Sequence, residues 1–220
     1  MISHELKLIL IHINKNGGTS LAAALNQFRD RKFKSHWPLW KIQAELLVQG
    51  YDPDEYTSVT VIRHPLDRFV SSYEYRRQMC KPGTPSIIGK NITYEQFLTE
   101  VMPGERKNRT LNPQQWFMNK EQQGTTVDVD FILRFEEGLQ EQWNALVKRR
   151  VSRLPLIVDF PHRNRTDRRP WQEYYSSPKM IDAVYQRAHS DTQFGYRFDL
   201  TDPYDALGVD PYLKSKMIVS

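Results

Sequence analysis

The stretch that decides the fold is residues 6–20, which read LKLILIHINKNGGTS. Residues 6–13 form a short apolar run rich in leucine and isoleucine, and Gly17 and Gly18 follow shortly after it. A run of this kind that ends at glycines is typical of a buried strand in a parallel sheet. An apolar stripe with helical spacing then covers residues 21–28. The sequence therefore predicts strand, glycine turn and helix in this order.

The same succession recurs further along the chain. Residues 57–62, TSVTVI, are β-branched and predict a second strand, and Pro65 suits the first turn of the helix that follows. Residues 130–135 predict a third strand before a helix over residues 139–147, and residues 155–158 predict a further short strand. Strands that alternate with helices indicate βαβ units and a parallel sheet. We therefore expect a three-layer, P-loop-like α/β fold.

Two helices carry recognisable start signals. Thr93 and Gln96 form a capping box, and Ser177 with Pro178 begins the last long helix. The inner face of that last helix is predicted to contain Ile181, Val184, Tyr185 and Ala188.

Composition narrows the class of protein. The chain has 220 residues, which suits a single domain over residues 1–220, and its formal net charge of +5 suggests an anionic partner. Cys80 is the single cysteine, so we expect a reducing, cytoplasmic compartment and no cysteine-rich zinc site. We find no leader pattern, and no apolar run approaches the ~20 residues of a membrane span.

The loop after the first strand has the residues of a phosphate cradle. Gly17 and Gly18 allow backbone N–H groups to turn toward an anion, and the following helix start adds its positive dipole end. Thr19 and Ser20 offer hydroxyl donors, and Lys15 offers a mobile positive charge. The Walker pattern is absent because no lysine stands directly before Thr19. A plain glycine turn with a solvated lysine is the alternative interpretation.

A second candidate for phosphate binding follows the second strand. Arg63 stands at the end of that strand, and Arg68 and Ser71 share one face of the next helix. The spacing of Arg63, Pro65, Arg68, Ser71 and Tyr73 is more specific than any single arginine. The alternative is that both arginines are ordinary surface charges.

These two segments resemble the sulfotransferases that use 3′-phosphoadenosine 5′-phosphosulfate (PAPS), especially the carbohydrate-type branch, the family 2-like one. The chain reads HINKNGGTSL over residues 12–21, where that family has a motif close to HIPKTGGTSL. It reads VIRHPLDRFVSSY over residues 61–73, where the family motif is close to VRxPxxRxxSxY. Residues 130–146 and 169–198 resemble later parts of the family. Asn14 and Asn16 depart from the family's proline and threonine.

The resemblance implies where the nucleotide would bind. The 5′-phosphosulfate would be held by the cradle residues Lys15, Asn16, Gly17, Gly18, Thr19 and Ser20, and Lys15 would also stabilise the leaving phosphate oxygen. Arg63 and Ser71 would hold the 3′-phosphate. A later loop often closes on the nucleotide in this family, and the arginine-rich residues 163–169, with Arg165 and Thr166, are the candidate. A solvated basic loop is the alternative for that segment.

A general base should take the proton of the acceptor hydroxyl. We predict His36, which follows the first helix in a region where family members often place groups that face the acceptor. His64 and a glutamate are the other candidates. Trp116 or Trp171 could stack on adenine, although each is also a plausible core residue. We expect no metal, because no carboxylates cluster in the sequence.

The sequence therefore predicts sulfuryl transfer from PAPS to an acceptor hydroxyl, with a carbohydrate as the acceptor that the resemblance implies. A P-loop-type nucleotide or small-molecule kinase would share the fold, but it should carry Gly-Lys-Thr/Ser and carboxylates for magnesium. A non-catalytic basic module for glycan or nucleic acid is the other alternative. No nucleic-acid motif is present, so we expect no nucleic-acid partner.

Overall fold

A computed structural model describes residues 1–30, 36–78, 91–104, 111–161 and 166–218. Their contacts divide the chain into two compact units. Unit 1 comprises Met1–Arg63, Gln114–Arg163 and Asp210–Ser220, and unit 2 comprises His64–Pro113 and Asn164–Val209. The single domain over residues 1–220 stays a prediction.

Unit 1 contains a four-stranded sheet in the order β1-β2-β3-β4. Strand β1 (Ile2–Ser3) runs antiparallel to β2 (Leu8–Ile11). Strands β2, β3 (Thr57–Ile62) and β4 (Phe131–Arg134) are parallel, as the sequence predicts. Because parallel strands point the same way, the loops that follow β2 and β3 leave from one edge of this sheet, where α/β folds bind ligands.

Both faces of the sheet are buried: β2 is apolar throughout, and two of the three polar residues of β3 are buried as well. One face packs against α1 (Gly18–Ala24) and α6 (Leu139–Arg149) in a core around Trp143. On the other face Ile9 and Ile132 are fully buried as well. Helix α2 (Leu39–Val48) and the short α8 (Pro211–Lys214) are further α-helices of unit 1. The predicted α/β fold class is confirmed.

The strand predicted over residues 155–158 is wrong. These residues form no strand, because side chains of α6 bind their backbone instead. Trp143 Nε1 donates to the carbonyl of Pro155 over 2.8 Å, and the Asn144 amide both donates to and accepts from the backbone of Ile157. The polar backbone is thereby satisfied without a ladder partner.

Unit 2 is mainly helical. The α- and π-helical segments among its described residues are α3 (Pro65–Gln78), α4 (Tyr94–Gln96), a π-helical turn (Phe97–Val101), α5 (Met102–Gly104) and α7 (Pro178–Ala188). A hairpin of β5 (Phe194–Tyr196) and β6 (Tyr204–Val209) completes it. The predicted capping box at Thr93 and Gln96 is present, with both hydrogen bonds formed.

The predicted inner face of α7 needs one correction. Val184 and Ala188 are buried as expected, but 44% of Tyr185 is exposed and Met180 is buried instead. Positions 180, 184 and 188 lie four residues apart, so they follow one stripe of the helix and leave Tyr185 beside it.

Candidate anion-binding site

The loop between β2 and α1 has a left-handed backbone at two positions. Lys15 has φ 69° and Gly17 has φ 78°. Only glycine fits at the second position, because a Cβ on Gly17 would lie 2.8 Å from Cδ2 of Phe135. At Lys15 the left-handed backbone costs about 1–3 kcal/mol, a strain that is usually found at functional sites. The backbone of this loop therefore has a defined conformation at Lys15 and Gly17.

Helix α1 begins directly after this turn, with Gly17 as its N-cap. Gly17 has no side chain that could cap the helix, and N–H groups at a helix start are the groups that commonly bind anions. Thr19 is exposed on the first turn, whereas Ser20 is buried and its backbone N–H donates to the carbonyl of Gly17. The structure thus places Gly17, Gly18, Thr19 and Lys15 together in one turn.

Asn16 lies in the same loop, but its side chain is fully buried. Its Nδ2 donates to the carbonyl of Val61 over 2.7 Å and to Oε1 of Gln114 over 2.6 Å. Both N–H bonds of the amide are therefore used inside the protein. A hydrogen bond from Asn16 to a nucleotide would have to come from its backbone N–H.

Gln114 is a buried residue that the sequence analysis missed. Its Oε1 accepts from the backbone N–H of Arg63 over 2.8 Å, and its Nε2 donates to the carbonyl of Arg63 over 2.9 Å. The side chain therefore takes the place of a neighbouring strand beyond the end of β3. Its position 51 residues after Arg63 gives no spacing that sequence analysis could detect.

Arg63 is not a surface charge, since only 7% of it is exposed. Its Nη1 donates to the carbonyl of Lys15 over 2.8 Å, and its guanidinium lies 4.1 Å from the ring centroid of Phe135. The structure therefore fixes a guanidinium against the loop that carries Lys15. Two positive side chains beside the start of a helix are the kind of groups that bind anions in proteins, so we take this loop as the candidate site.

Two histidine rings lie beside this turn. The rings of His12 and His36 are 4.3 Å apart between centroids, and Nε2 of His12 is 3.4 Å from Oγ1 of Thr19. The His12 ring also lies against Gly18, where a Cβ would come within 2.4 Å of its Cδ2. His36, which the sequence analysis proposes as the base, is thus next to a residue that touches the start of α1.

The hydrogen bond of His36 fixes its tautomer. Its Nδ1 lies 3.2 Å from the carbonyl oxygen of His12, and a carbonyl can only accept. Nδ1 therefore carries the proton, and Nε2 keeps a lone pair that can receive a proton from a hydroxyl. Burial is the largest cause that lowers the pKa of His36 below its usual value of 6.5, so the ring is neutral at neutral pH.

The half-buried His12 ring predicts a loss of stability in acid. Burial, reinforced by the nearby His36, lowers the pKa of His12 to about 3. Between pH 6.5 and about 3 the unfolded chain therefore binds a proton that the folded chain does not, so stability falls as pH falls. His12→Gln should reduce the difference in unfolding free energy between pH 7 and pH 5 by at most about 2 kcal/mol. Urea unfolding of both proteins at the two pH values measures this. An unchanged difference would contradict the assignment.

Unit 2 contains the other residues of the predicted nucleotide grip. Ser71 and Arg68 on α3 are both buried, and Arg68 Nη1 donates to the carbonyl of Asn112 over 2.8 Å. The interpretation of Arg68 as a surface charge is therefore wrong. The structure shows Arg68 holding the backbone at Asn112.

The arginine-rich loop is described only in part, and Arg165 lies outside the described residues. Thr166 is half-buried. Further along, Arg168 forms an ion pair with the buried Asp67 over 2.5 Å, and Arg169 lies 4.6 Å from the ring centroid of Tyr174. The described part of this loop is thus bound to its own unit, unlike a solvated basic loop.

The His64 ring is held in place by contacts within unit 2. Its Nε2 donates to the carbonyls of Arg197 and Pro203 over 2.9 and 3.1 Å, and its ring stacks on Trp171 at 4.8 Å. An imidazole held by two carbonyls through Nε2 is a poor proton acceptor at that atom. Trp171 stacks on His64, and Trp116 packs edge-on against Phe117.

Two further searches concern only the residues that the structure describes. No group of three or more histidine, cysteine, aspartate or glutamate side chains among them is arranged to hold a metal ion. None of the helices in these segments is both long enough and apolar enough to cross a membrane.

Comparison with known proteins gives one match. A family model with the description "Sulfotransferase family" matches residues 1–197. Neither the characterised proteins nor the solved structures contain a match to the chain. The matched region includes the cradle loop, Arg63, His36 and α3.

Proposed function

Because this chain belongs to the sulfotransferase family, we propose that it transfers a sulfuryl group from PAPS to the hydroxyl of a carbohydrate acceptor. The observation that carries the choice of donor is the pair of cationic groups in unit 1. Lys15 lies in the cradle loop, and the guanidinium of Arg63 is bound to the carbonyl of that same lysine. PAPS has anionic groups at both its 5′ and its 3′ positions, so it needs two such groups.

The reaction requires little covalent chemistry from the protein. The acceptor oxygen forms a bond to sulfur while the bond between sulfur and the 5′-phosphate oxygen breaks, and the acceptor's proton leaves. His36 Nε2 receives that proton, because its Nδ1 is held by the carbonyl of His12. Lys15 and the N–H groups at the start of α1 offset the charge on the released 5′-phosphate.

Arg63 is proposed to bind the 3′-phosphate. Its guanidinium is held from two sides by the carbonyl of Lys15 and the ring of Phe135, which limits its motion before a ligand arrives. Such preorganisation reduces the entropy cost of binding. Parts played by Ser71, Arg165 and Thr166 stay predictions from the family resemblance.

The acceptor is proposed to be a carbohydrate. Trp37 follows His36 directly and is half-buried, and Nζ of Lys41 lies 4.6 Å from its ring centroid. An aromatic ring next to the base is suited to contact the C–H face of a sugar. The cytoplasmic location also stays a proposal, supported by the single cysteine of the sequence.

The donor is tested by comparing 3′-phosphoadenosine 5′-phosphate (PAP), AMP and ATP with Mg²⁺ by calorimetry. We expect PAP to bind about 10- to 100-fold more tightly than AMP, because a charge-assisted hydrogen-bonded group contributes about 1.5–3 kcal/mol. Arg63→Ala should remove most of this preference. The quantity to compare is the ratio of the affinities for PAP and AMP. Arg63 also binds the cradle loop, so its loss can weaken the binding of both nucleotides.

Arg153→Ala is the matched control. Arg153 is an exposed arginine of unit 1 that donates to the backbone carbonyl of Leu6, before the start of β2. This substitution should leave the preference for PAP unchanged. Equal affinities for PAP and AMP in the unmodified protein would overturn the choice of donor, and tighter binding of ATP with Mg²⁺ would favour a kinase.

A further inference from the structure

Two buried glutamines bind the backbone of arginines in the same way. Gln114 accepts from the N–H of Arg63 and donates to its carbonyl, over 2.8 and 2.9 Å. Gln142 does the same at Arg134, over 2.8 and 2.6 Å. Arg134 ends β4, and Arg63 directly follows the end of the neighbouring strand β3. Each amide thus forms hydrogen bonds with the N–H and the carbonyl of a residue at or directly after the end of its strand.

The two glutamines differ in their third contact. Gln114 also accepts from Nδ2 of Asn16 over 2.6 Å, so one oxygen joins the cradle loop to Arg63. Gln142 instead donates to the carbonyl of Gly138, the N-cap of its own helix. Both side chains are fully buried. Gln142 is therefore a natural control for Gln114, because it makes the same backbone contacts without the loop.

The contacts around Gln114 form a closed ring. Asn16 binds Gln114, Gln114 binds the backbone of Arg63, and the side chain of Arg63 returns to the carbonyl of Lys15. Lys15 and Asn16 are consecutive residues, so the ring ends where it began. A change at any link shifts the lysine relative to the guanidinium.

We propose that Gln114 is a positioning residue for the donor nucleotide, which fixes the cradle loop and Arg63 at one mutual distance. The inference rests on the proposed function, because that distance matters only if one ligand uses both groups. PAP has two phosphates on one ribose, whereas AMP has only one. Loss of the Gln114 side chain should therefore weaken the binding of PAP more than the binding of AMP.

The test uses Gln114→Met, which keeps the side-chain length and removes the amide, beside Gln142→Met. We expect Gln114→Met to lower the affinity for PAP by about 10-fold or more and to reduce the ratio of PAP to AMP affinity. We expect Gln142→Met to change that affinity and ratio by less than about 3-fold, although both variants lose stability. Equal effects of the two substitutions on the ratio would overturn the proposal.

A second variant covers the case in which Gln114→Met does not fold. Asn16→Ala breaks the link to the loop and leaves the contact between Gln114 and Arg63 in place. It should reproduce the loss of preference for PAP. An unchanged preference in Asn16→Ala would overturn the proposal as well.

Amide hydrogen exchange separates failure of this inference from failure of the proposed function. Exchange at residues 15–18 should become faster in Gln114→Met and stay unchanged in Gln142→Met, with no ligand present. If the unmodified protein does not prefer PAP, the proposed donor is wrong, and the role in positioning the donor falls with it. Unchanged exchange in Gln114→Met would overturn the inference even where PAP binds as expected.

Discussion

Lys15→Ala is expected to lower turnover by about 10²–10³-fold while weakening PAP binding by less than about 10-fold. The charge of Lys15 acts on the phosphate oxygen that gains negative charge as the bond to sulfur breaks, so it matters most in the transition state. The backbone supports this role, because Lys15 is held in a left-handed conformation with φ 69° and its carbonyl is bound by Arg63. The backbone that carries this side chain is therefore held in place.

The experiment measures turnover on the acceptor that the unmodified protein uses best and PAP binding by calorimetry. Lys120→Ala is the matched control, since Lys120 is an exposed lysine of unit 1 whose ammonium lies 3.7 Å from Asp54. Its removal should change neither quantity. Near-normal turnover of Lys15→Ala would show that the lysine has no part in the reaction.

The parallel strands were the most predictable part of this fold. Strand β2 lies within an apolar run, and β3 and β4 lie within the β-branched and apolar runs that predict them, as expected for strands that are buried on both faces. The turn after β2 was predictable too, since Gly17 is required where a Cβ would meet Phe135. Strand β1 has only two residues, too few for any periodicity.

The contacts that hold the candidate site could not be predicted in the same way. Asn16 is a polar loop residue, so the sequence suggests that it faces a ligand, yet its amide is buried against Gln114 and Val61. Hydrogen bonds between a side chain and a distant backbone follow no period and leave no pattern in the sequence. The prediction of a strand over residues 155–158 was wrong for the same reason, because side chains of α6 bind the backbone of these residues.

Charged residues of α3 show a related limit. Asp67, Arg68, Glu74 and Arg76 are all buried, although charged helix positions are mostly exposed in proteins. Several of their partners come from distant parts of unit 2, as when Tyr174 donates to Glu74 over 2.9 Å. The spacing of the motif around Arg68 indicated a functional helix, but the distant residues that bind its charged side chains could be identified only in the structure.

His36 is expected to be the general base, and its loss should lower sulfuryl transfer by about 10²-fold or more. The sequence placed it in a loop after the first helix, and the structure adds its tautomer. With Nδ1 bound to the carbonyl of His12, only Nε2 can accept the acceptor's proton. The backbone of His36 has φ 65°, so His36→Asn is the better substitution, because asparagine tolerates a left-handed conformation.

His36→Asn should therefore retain PAP binding and lose transfer, whereas His189→Gln, at an exposed histidine of unit 2, should retain both. The pH dependence gives a sharper test. A base acts only when neutral, and burial lowers the pKa of His36 below 6.5. Transfer by the unmodified protein should consequently hold its rate below pH 6.5 and decline only as the pH passes the lowered pKa. In His36→Asn the residual rate should lack this decline. If the variant transfers at the normal rate, or keeps the same acidic decline, another residue is the base.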